Sequence, residues 1–160
     1  MCIRDRSDLR ATLVITYPNA DTGHDVIIER WRAFVAGHPN ARLFTSLGQA
    51  RFYSLLSHAD LMVGNSSGGL WETPSFRLPT VNIGDRQRGR FRAANVLDTP
   101  AACGSILSSI RRGLDPSFRR SLADIANPMG DGQAAPRIAR VLAETPVDVR
   151  LLRKGFSERS

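Results

Sequence analysis

Apolar residues along the chain follow two spacings, one typical of buried strands and one typical of helices. Short runs rich in β-branched residues predict strands covered on both faces; they lie at 12–17, 42–45, 61–64 and 79–82, with a short fifth run at 95–99. Apolar residues at helical spacing predict helices over 24–39 (ended by Gly37 and Pro39), 47–59, 101–114, 117–126 and 134–144. A further helix is expected to begin near Gly68.

This alternation of strands and helices determines the predicted fold class. Repeated βα units form a mostly parallel sheet, so the sequence predicts an α/β, Rossmann-like fold with helices on both faces of the sheet. Ligands of such folds bind beyond the carboxyl ends of the strands. That rule selects the loops that start near Pro18, Ser46, Asn65 and Gly84, and the unusual residues of the chain lie in those four loops.

The two ends of the sequence differ from the part between them. Residues 1–7 (MCIRDRS) start no periodic pattern, and we interpret them as a non-native or scar segment. The predicted domain therefore covers 8–148, and 149–160 form an exposed basic tail. On this interpretation the natural chain begins earlier than the printed sequence.

Composition excludes several classes of protein. A chain of 160 residues with 42% hydrophobic residues is the size of one globular domain, and this apolar content excludes disorder throughout. No run approaches the ~20 apolar residues that a membrane span needs. The two cysteines exclude a disulfide scaffold or a multi-cysteine metal site, and the three histidines lack metal-site spacing. Without a secretory signal, a cytoplasmic location is expected.

The net charge of +7 changes this picture little. All but one of the 22 basic residues are arginines, which either a GC-rich genome, where arginine codons dominate, or a polyanion partner would explain. The arginines concentrate at 86–92, and a second basic group lies at 150–160. A basic loop and a basic tail are weaker signals than a basic face, and no nucleic-acid motif accompanies them. No nucleic-acid partner is therefore expected.

The segment GNSSGGLWE, residues 64–72, carries the clearest candidate chemistry. The start of a helix offers unpaired backbone N–H groups to a phosphate, and glycines allow a close approach. Ser66 and Ser67 add hydroxyl donors, and the Glu72 carboxylate lies one turn later, where a ribose diol would suit it. The alternative is that Asn65 or Ser66 caps a helix and Glu72 is a surface residue. Spacing alone does not decide between these interpretations.

Two neighbouring loops supply further candidates. Arg86 follows the next strand directly and could bind a phosphate with its planar fork of donors, whereas the following arginines, 88, 90 and 92, indicate a solvated basic loop. Asn19 follows the first strand, where its amide could contact a ligand. The alternative for Asn19 is a turn followed by a helix cap at Asp21 or Thr22.

Four segments together resemble a known family. They are TYPNADTGHD at 16–25, GNSSGGLWETPSFRLPTVNIGDRQRGR at 64–90, NPMGDGQAAPRI at 127–138 and KGF at 154–156. The combination is similar to the hydrolysing UDP-N-acetylglucosamine 2-epimerases, particularly the branch that serves sialic and related nonulosonic acid synthesis. The resemblance implies a GT-B architecture of two Rossmann-like lobes, of which this chain matches only the C-terminal lobe.

The resemblance also implies roles for individual residues. Ser66 and Ser67, with Gly68, would face a diphosphate, and Glu72 would face the ribose. The backbone of Ser46 and Leu47, with Phe52 nearby, would face the uracil. Asn19 and Arg86 would be further nucleotide contacts. The acid/base carboxylates of the family lie largely in the N-terminal lobe, so no catalytic residue is assigned here.

The reaction implied by the family is elimination of UDP from UDP-GlcNAc, followed by addition of water to give N-acetylmannosamine. The implied partners are UDP-GlcNAc or UDP and the N-terminal lobe of the same protein, and a homo-oligomer is allowed. These residues require no metal or other cofactor, and no membrane partner is expected. Two alternatives stay open: the donor lobe of a GT-B glycosyltransferase, and a non-catalytic nucleotide-sugar-binding module.

Overall fold

The computed structural model of the protein describes residues 11–153. The predicted scar at residues 1–7 and the last part of the predicted tail lie outside the described residues. The described chain divides into two compact units on either side of the Pro128–Met129 bond. The first unit contains every strand and every predicted site residue.

Within residues 11–153, five short strands occur, with helices between successive strands except between β4 and β5. The strands are β1 (Leu13–Thr16), β2 (Ala41–Phe44), β3 (Met62–Gly64), β4 (Thr80–Ile83) and β5 (Val96–Thr99). The helices of the first unit are α1 (His24–Ala36), α2 (Gly48–His58), α3 (Gly68–Trp71), α4 (Cys103–Leu114) and α5 (Pro116–Ser121). A 3₁₀ turn at Thr73–Phe76 follows α3. The predicted strands and the helix start at Gly68 are thereby confirmed.

Every described strand pair is parallel, which confirms the α/β class. β1 pairs with β2, placing Leu13 opposite Ala41. β4 lies between β3 and β5, and Thr80 is opposite both Met62 and Val96. The ladders form one sheet of two strands and one of three, where the sequence predicted a single sheet. Strands of three or four residues carry few ladder bonds, and the pattern of apolar runs does not specify which strands pair.

Each sheet has its own apolar cluster. Trp31 and Phe34 of α1 meet edge to face with ring centroids 5.8 Å apart, and they pack on Ala41 of β2. Ile106 and Ile110 of α4 pack on Val81 of β4. Both helices therefore bury residues three or four apart, which is the spacing that predicted them.

Two predicted elements end differently in the structure. The helix expected over 117–126 ends at Ser121, because the following amides of Leu122 and Ala123 bond three residues back instead of four. The predicted tail begins with helix α7 (Val149–Leu152), where the Leu151 N–H donates to the Asp148 carboxylate. A local hydrogen bond thus gives helical structure to the start of a segment predicted as tail.

The second unit contains α6 (Ala134–Glu144) and α7. The side chains of Ile138, Val141 and Leu142 on α6 are exposed. Among the described residues, no helix combines the length and the apolar content that crossing a bilayer requires.

A glycine sets how closely α3 approaches the sheet. A Cβ at Gly69 would lie 2.8 Å from Cγ2 of Thr80 on β4, closer than carbon atoms pack without a shift. Both residues are buried. Only a residue without a side chain allows this contact between α3 and β4.

We expect Gly69→Ala to destabilise the protein by about 1–3 kcal/mol, because the added methyl overpacks a buried contact. Gly104→Ala is the matched control, since nothing lies within 4 Å of a Cβ at that helical position. It should be neutral or stabilising by roughly 0.5–1 kcal/mol. Urea unfolding of both variants measures the two changes. Equal stability of the two variants would contradict the packing argument.

Candidate functional site

An ion pair joins two of the loops that the sequence selected. Nη1 of Arg86, after β4, lies 3.0 Å from Oδ2 of Asp21, after β1. Both side chains are about half exposed, at 47% and 63%. Exposed pairs of this kind contribute about 0–1 kcal/mol, so the contact orients Arg86 without making it hard to displace.

The helix cap at Asp21 or Thr22, which was part of the alternative to a ligand contact at Asn19, is not formed. Gly23 is the N-cap of α1, with a φ of 82°, and no side chain caps the helix. That left-handed conformation suits glycine, and it leaves the Asp21 carboxylate to pair with Arg86 instead. The Asp21 N–H donates to the Asn19 carbonyl at 2.8 Å, so Asn19 belongs to the same tight turn.

The turn before α3 is more internally bonded than the sequence suggested. The N–H groups of Gly69 and Leu70 donate to the carbonyls of Ser66 and Ser67 at 3.1 and 2.9 Å. The Gly68 N–H reaches only the Ser66 hydroxyl, at 3.4 Å. Ser67 is the N-cap, but its side chain makes no capping bond. The expectation of an unpaired first turn is therefore wrong for Gly69 and Leu70, and the weakly bonded Gly68 N–H is the better donor for a ligand.

The Glu72 carboxylate folds back over this turn. A Cβ at Gly68 would lie 2.5 Å from Oε2 of Glu72 and 3.7 Å from Cζ of Phe52. One glycine thus separates the backbone from a carboxylate on one element and an aromatic ring on another. The structure brings these three predicted residues together.

Ser46 and Leu47 lie at the start of the helix that carries Phe52. The exposed Ser46 hydroxyl accepts a hydrogen bond from the Gly48 N–H at 3.2 Å, and Leu47 is the N-cap of α2. α2 then places the Phe52 ring beside Gly68. Ser46 and Leu47 are therefore linked to the Gly68 turn through Phe52.

Sequence reasoning missed Gln87. Its side chain is only 3% exposed, and its Nε2 donates to the backbone carbonyl of Asn65 at 2.7 Å. It thereby connects the loop after β4 with the loop after β3. The available signal was a single polar uncharged side chain among the arginines of 86–92.

Two of the arginines expected in a solvated loop make specific contacts. Nε of Arg92 lies 2.7 Å from Oδ2 of Asp98, and its Nη2 donates to the Gln87 carbonyl at 3.1 Å. The Arg90 guanidinium lies 5.7 Å from the ring centroid of Trp71, in a cation–π contact. For Arg92 the prediction of a solvated loop is wrong, because its side chain is half-buried against Asp98 and the Gln87 carbonyl. Arg88 and Arg90 are exposed, in agreement with the prediction.

The Gly-Asp-Gly segment lies in the second unit. Arg137 donates to both carboxylate oxygens of Asp131, at 2.9 and 2.8 Å. The Arg137 guanidinium and the Gln133 N–H hold the pKa of the Asp131 carboxyl below its usual value. Asp131 therefore makes local hydrogen bonds that connect this segment to α6.

No group of three or more His, Cys, Asp or Glu side chains within residues 11–153 is arranged to hold a metal ion.

Comparison with known proteins gives one family. The family model of UDP-N-acetylglucosamine 2-epimerase matches residues 3–143. The chain is 34% identical over 143 residues to UDP-N,N'-diacetylbacillosamine 2-epimerase (hydrolyzing) of Legionella pneumophila, covering 89% of this chain and 36% of that protein. It is 32% identical over 126 residues to polysialic acid biosynthesis protein P7 of Escherichia coli, covering 79% of this chain and 32% of that protein. The chain thus spans about a third of the length of these relatives.

A solved structure shares the fold. The UDP-GlcNAc 2-epimerase of Neisseria meningitidis, in a crystal structure bound to UDP-GlcNAc, superposes with a TM-score of 0.66 and 19% identity. The match covers 89% of this chain and 39% of that one.

We expect Arg92→Met to destabilise the protein by about 1–3 kcal/mol, because it leaves Asp98 without its cation and removes bonds to backbone carbonyls. Arg88→Met removes the same charge from an exposed side chain of the same loop, and its effect should lie within about 0.5 kcal/mol of zero. Thermal unfolding of both variants measures the difference. If both substitutions shift the melting temperature equally, Arg92 has no structural role.

Proposed function

Because the chain belongs to the UDP-N-acetylglucosamine 2-epimerase family, we propose that residues 8–148 are the UDP-binding C-terminal lobe of a hydrolysing 2-epimerase. The whole protein would convert UDP-GlcNAc and water to an N-acetylmannosamine-type sugar and UDP. The N-terminal lobe of the same protein would close the other side of the site.

One observation carries the nucleotide assignment: Glu72 and Phe52 both lie over Gly68. A nucleoside offers two hydroxyl donors on its ribose next to a flat, stackable base. A carboxylate accepts both hydroxyl bonds, and an aromatic ring packs on the base. Glu72 and Phe52 are therefore adjacent, as the ribose and the uracil of a nucleoside are. The backbone of Ser46 and Leu47 would lie on the uracil side.

The diphosphate would lie between the Ser66–Gly68 turn and Arg86. The weakly held Gly68 N–H and the two serine hydroxyls are donors on one side. On the other side, Nη1 of Arg86 contacts Asp21, and the planar guanidinium presents further N–H groups. Arg86 can keep Asp21 on one edge while it binds a phosphate on another.

This lobe would contribute electrostatic stabilisation to the reaction. In the elimination step the bond from the sugar C1 to the diphosphate oxygen breaks and a proton leaves C2, giving a glycal and UDP. Water then adds across that double bond. Negative charge grows on the departing diphosphate, and donors fixed before the reaction stabilise it there. The carboxylates that move protons would belong to the N-terminal lobe.

The nucleotide assignment predicts different effects for two ligands. Glu72→Gln should weaken binding of UDP by roughly 10–100-fold and leave pyrophosphate unchanged, because pyrophosphate has no ribose. Arg86→Ala should weaken both ligands. Arg88→Ala, with the same loss of charge, should change neither by more than about twofold. Titration calorimetry of the 160-residue chain with UDP and pyrophosphate measures all three.

Glu72→Gln also raises the net charge, so a purely electrostatic attraction predicts tighter binding of every anion. Parent-like UDP affinity in Glu72→Gln would remove the ribose assignment. Equal effects of Arg86→Ala and Arg88→Ala would remove the phosphate assignment.

We expect the 160-residue chain to have no 2-epimerase activity by itself. Catalysis needs groups on both sides of the reacting sugar, and this chain supplies one side. Incubation with UDP-GlcNAc and measurement of UDP release tests this, with a no-enzyme sample as the control. Release above that control would show that the lobe holds its own acid/base groups.

A further inference from the structure

Gln87 is buried at the junction of the two loops that would hold the diphosphate. It lies next to Arg86 in sequence, and its hydrogen-bond partner Asn65 lies next to Ser66. The bond from Nε2 of Gln87 to the Asn65 carbonyl is 2.7 Å long. Gln87 therefore connects the loop that carries Arg86 to Asn65, which directly precedes the Ser66–Gly68 turn.

The other end of the Gln87 carboxamide is unsatisfied. Its Oε1 is buried and has no hydrogen-bond partner. A buried acceptor without a partner costs free energy, and an apolar side chain of similar size would avoid that cost. The carboxamide therefore contributes through its donor, which bonds to the Asn65 carbonyl.

Arg92 fixes the backbone of Gln87. Arg92 donates from Nη2 to the Gln87 carbonyl at 3.1 Å, and its Nε lies 2.7 Å from Asp98. Asp98 on β5 in turn accepts a hydrogen bond from Asn82 on β4 at 2.6 Å. The side chain of Gln87 therefore transmits the position of the β4–β5 sheet to the loop after β3.

Arg86 has a weaker tie of its own. Its contact with Asp21 is half exposed and leads to the loop after β1, not to the serine turn. An exposed ion pair does little to fix a loop. The spacing between Arg86 and Ser66 depends instead on the hydrogen bond from the buried Gln87 side chain to the Asn65 carbonyl.

We propose that Gln87 is a positioning residue for the diphosphate: it sets the separation between Arg86 and the Ser66–Gly68 turn, so that both contact the same diphosphate. This inference rests on the proposed function, which supplies the diphosphate as ligand. Gln87 itself touches no reacting atom. It acts through Arg86, so its contribution to binding disappears when Arg86 is absent.

Gln87→Met tests this in the 160-residue chain, because methionine has a similar length and cannot bond to Asn65. UDP affinity should fall about 10-fold in the parent background and less than twofold in an Arg86→Ala background. A merely structural role would lower affinity by the same factor in both backgrounds, and that result would overturn the proposal. Gln49→Met makes the same change on an exposed helix and should alter neither affinity.

Amide hydrogen exchange of the free chain tests the loop coupling without any ligand. In Gln87→Met, exchange should accelerate about 10-fold for the hydrogen-bonded amides of Gly69 and Leu70 after β3 and of Arg88 and Arg90 after β4, while β2 stays unchanged. Acceleration in one loop only, or in neither, would overturn the proposal even if UDP does not bind. Failure of the proposed function is distinguished from this result: the parent chain would then bind no UDP, or the Arg86→Ala variant would bind UDP as tightly as the parent.

If Gln87→Met does not fold, Gln87→Glu replaces it. Glutamate keeps the shape but turns a carboxylate oxygen toward the Asn65 carbonyl, so the two loops should separate with the same loss of UDP affinity. Parent-like affinity and exchange in a folded Gln87→Glu variant would overturn the proposal.

Discussion

The hydroxyl of Thr73 fixes the segment that bears the candidate site to the sheet. It is fully buried, accepts hydrogen bonds from the Thr80 hydroxyl and the Asn95 amide at 2.8 and 2.9 Å, and donates to the Gly69 carbonyl at 2.7 Å. One oxygen thus uses its whole bonding capacity to join α3, β4 and the segment before β5. Glu72 is the preceding residue, so the direction of its carboxylate follows from this anchor.

The loops around the site are held by contacts of unequal strength. On one side, the buried Gln87 side chain donates to the Asn65 carbonyl and the half-buried Arg92 donates to the Gln87 carbonyl. Hydrogen bonds that are shielded from water are costly to break. On the other side, the exposed pair of Asp21 and Arg86 competes with water. The loops after β3 and β4 are therefore held more strongly than the loop after β1. A ligand that accepts a hydrogen bond from Arg86 can displace Asp21 at a small cost in free energy.

Local patterns were enough to predict the strands, the helix start at Gly68 and the loops that carry the site, because each depends on residues a few positions apart. Contacts between distant segments were not predictable in this way. The partner of Gln87 is the backbone carbonyl of Asn65, 22 residues earlier, which no side-chain pattern reveals, and the Arg90 guanidinium lies against the ring of Trp71. Division of the strands into two sheets likewise depends on pairing between segments. Glu72 could be selected from its spacing, but its contact with Gly68 needed the structure.

The different exposure of the two tryptophans has an optical consequence. The chain has two tryptophans: Trp31 is 7% exposed in the core, and Trp71 is 51% exposed next to Glu72. An indole in water emits at longer wavelength than a buried one, and dissolved iodide quenches it more readily. The intrinsic fluorescence of this protein therefore separates into a long-wavelength signal from the rim of the candidate site and a short-wavelength signal from the core. Occupancy of the site and integrity of the fold can then be followed in one unlabelled sample.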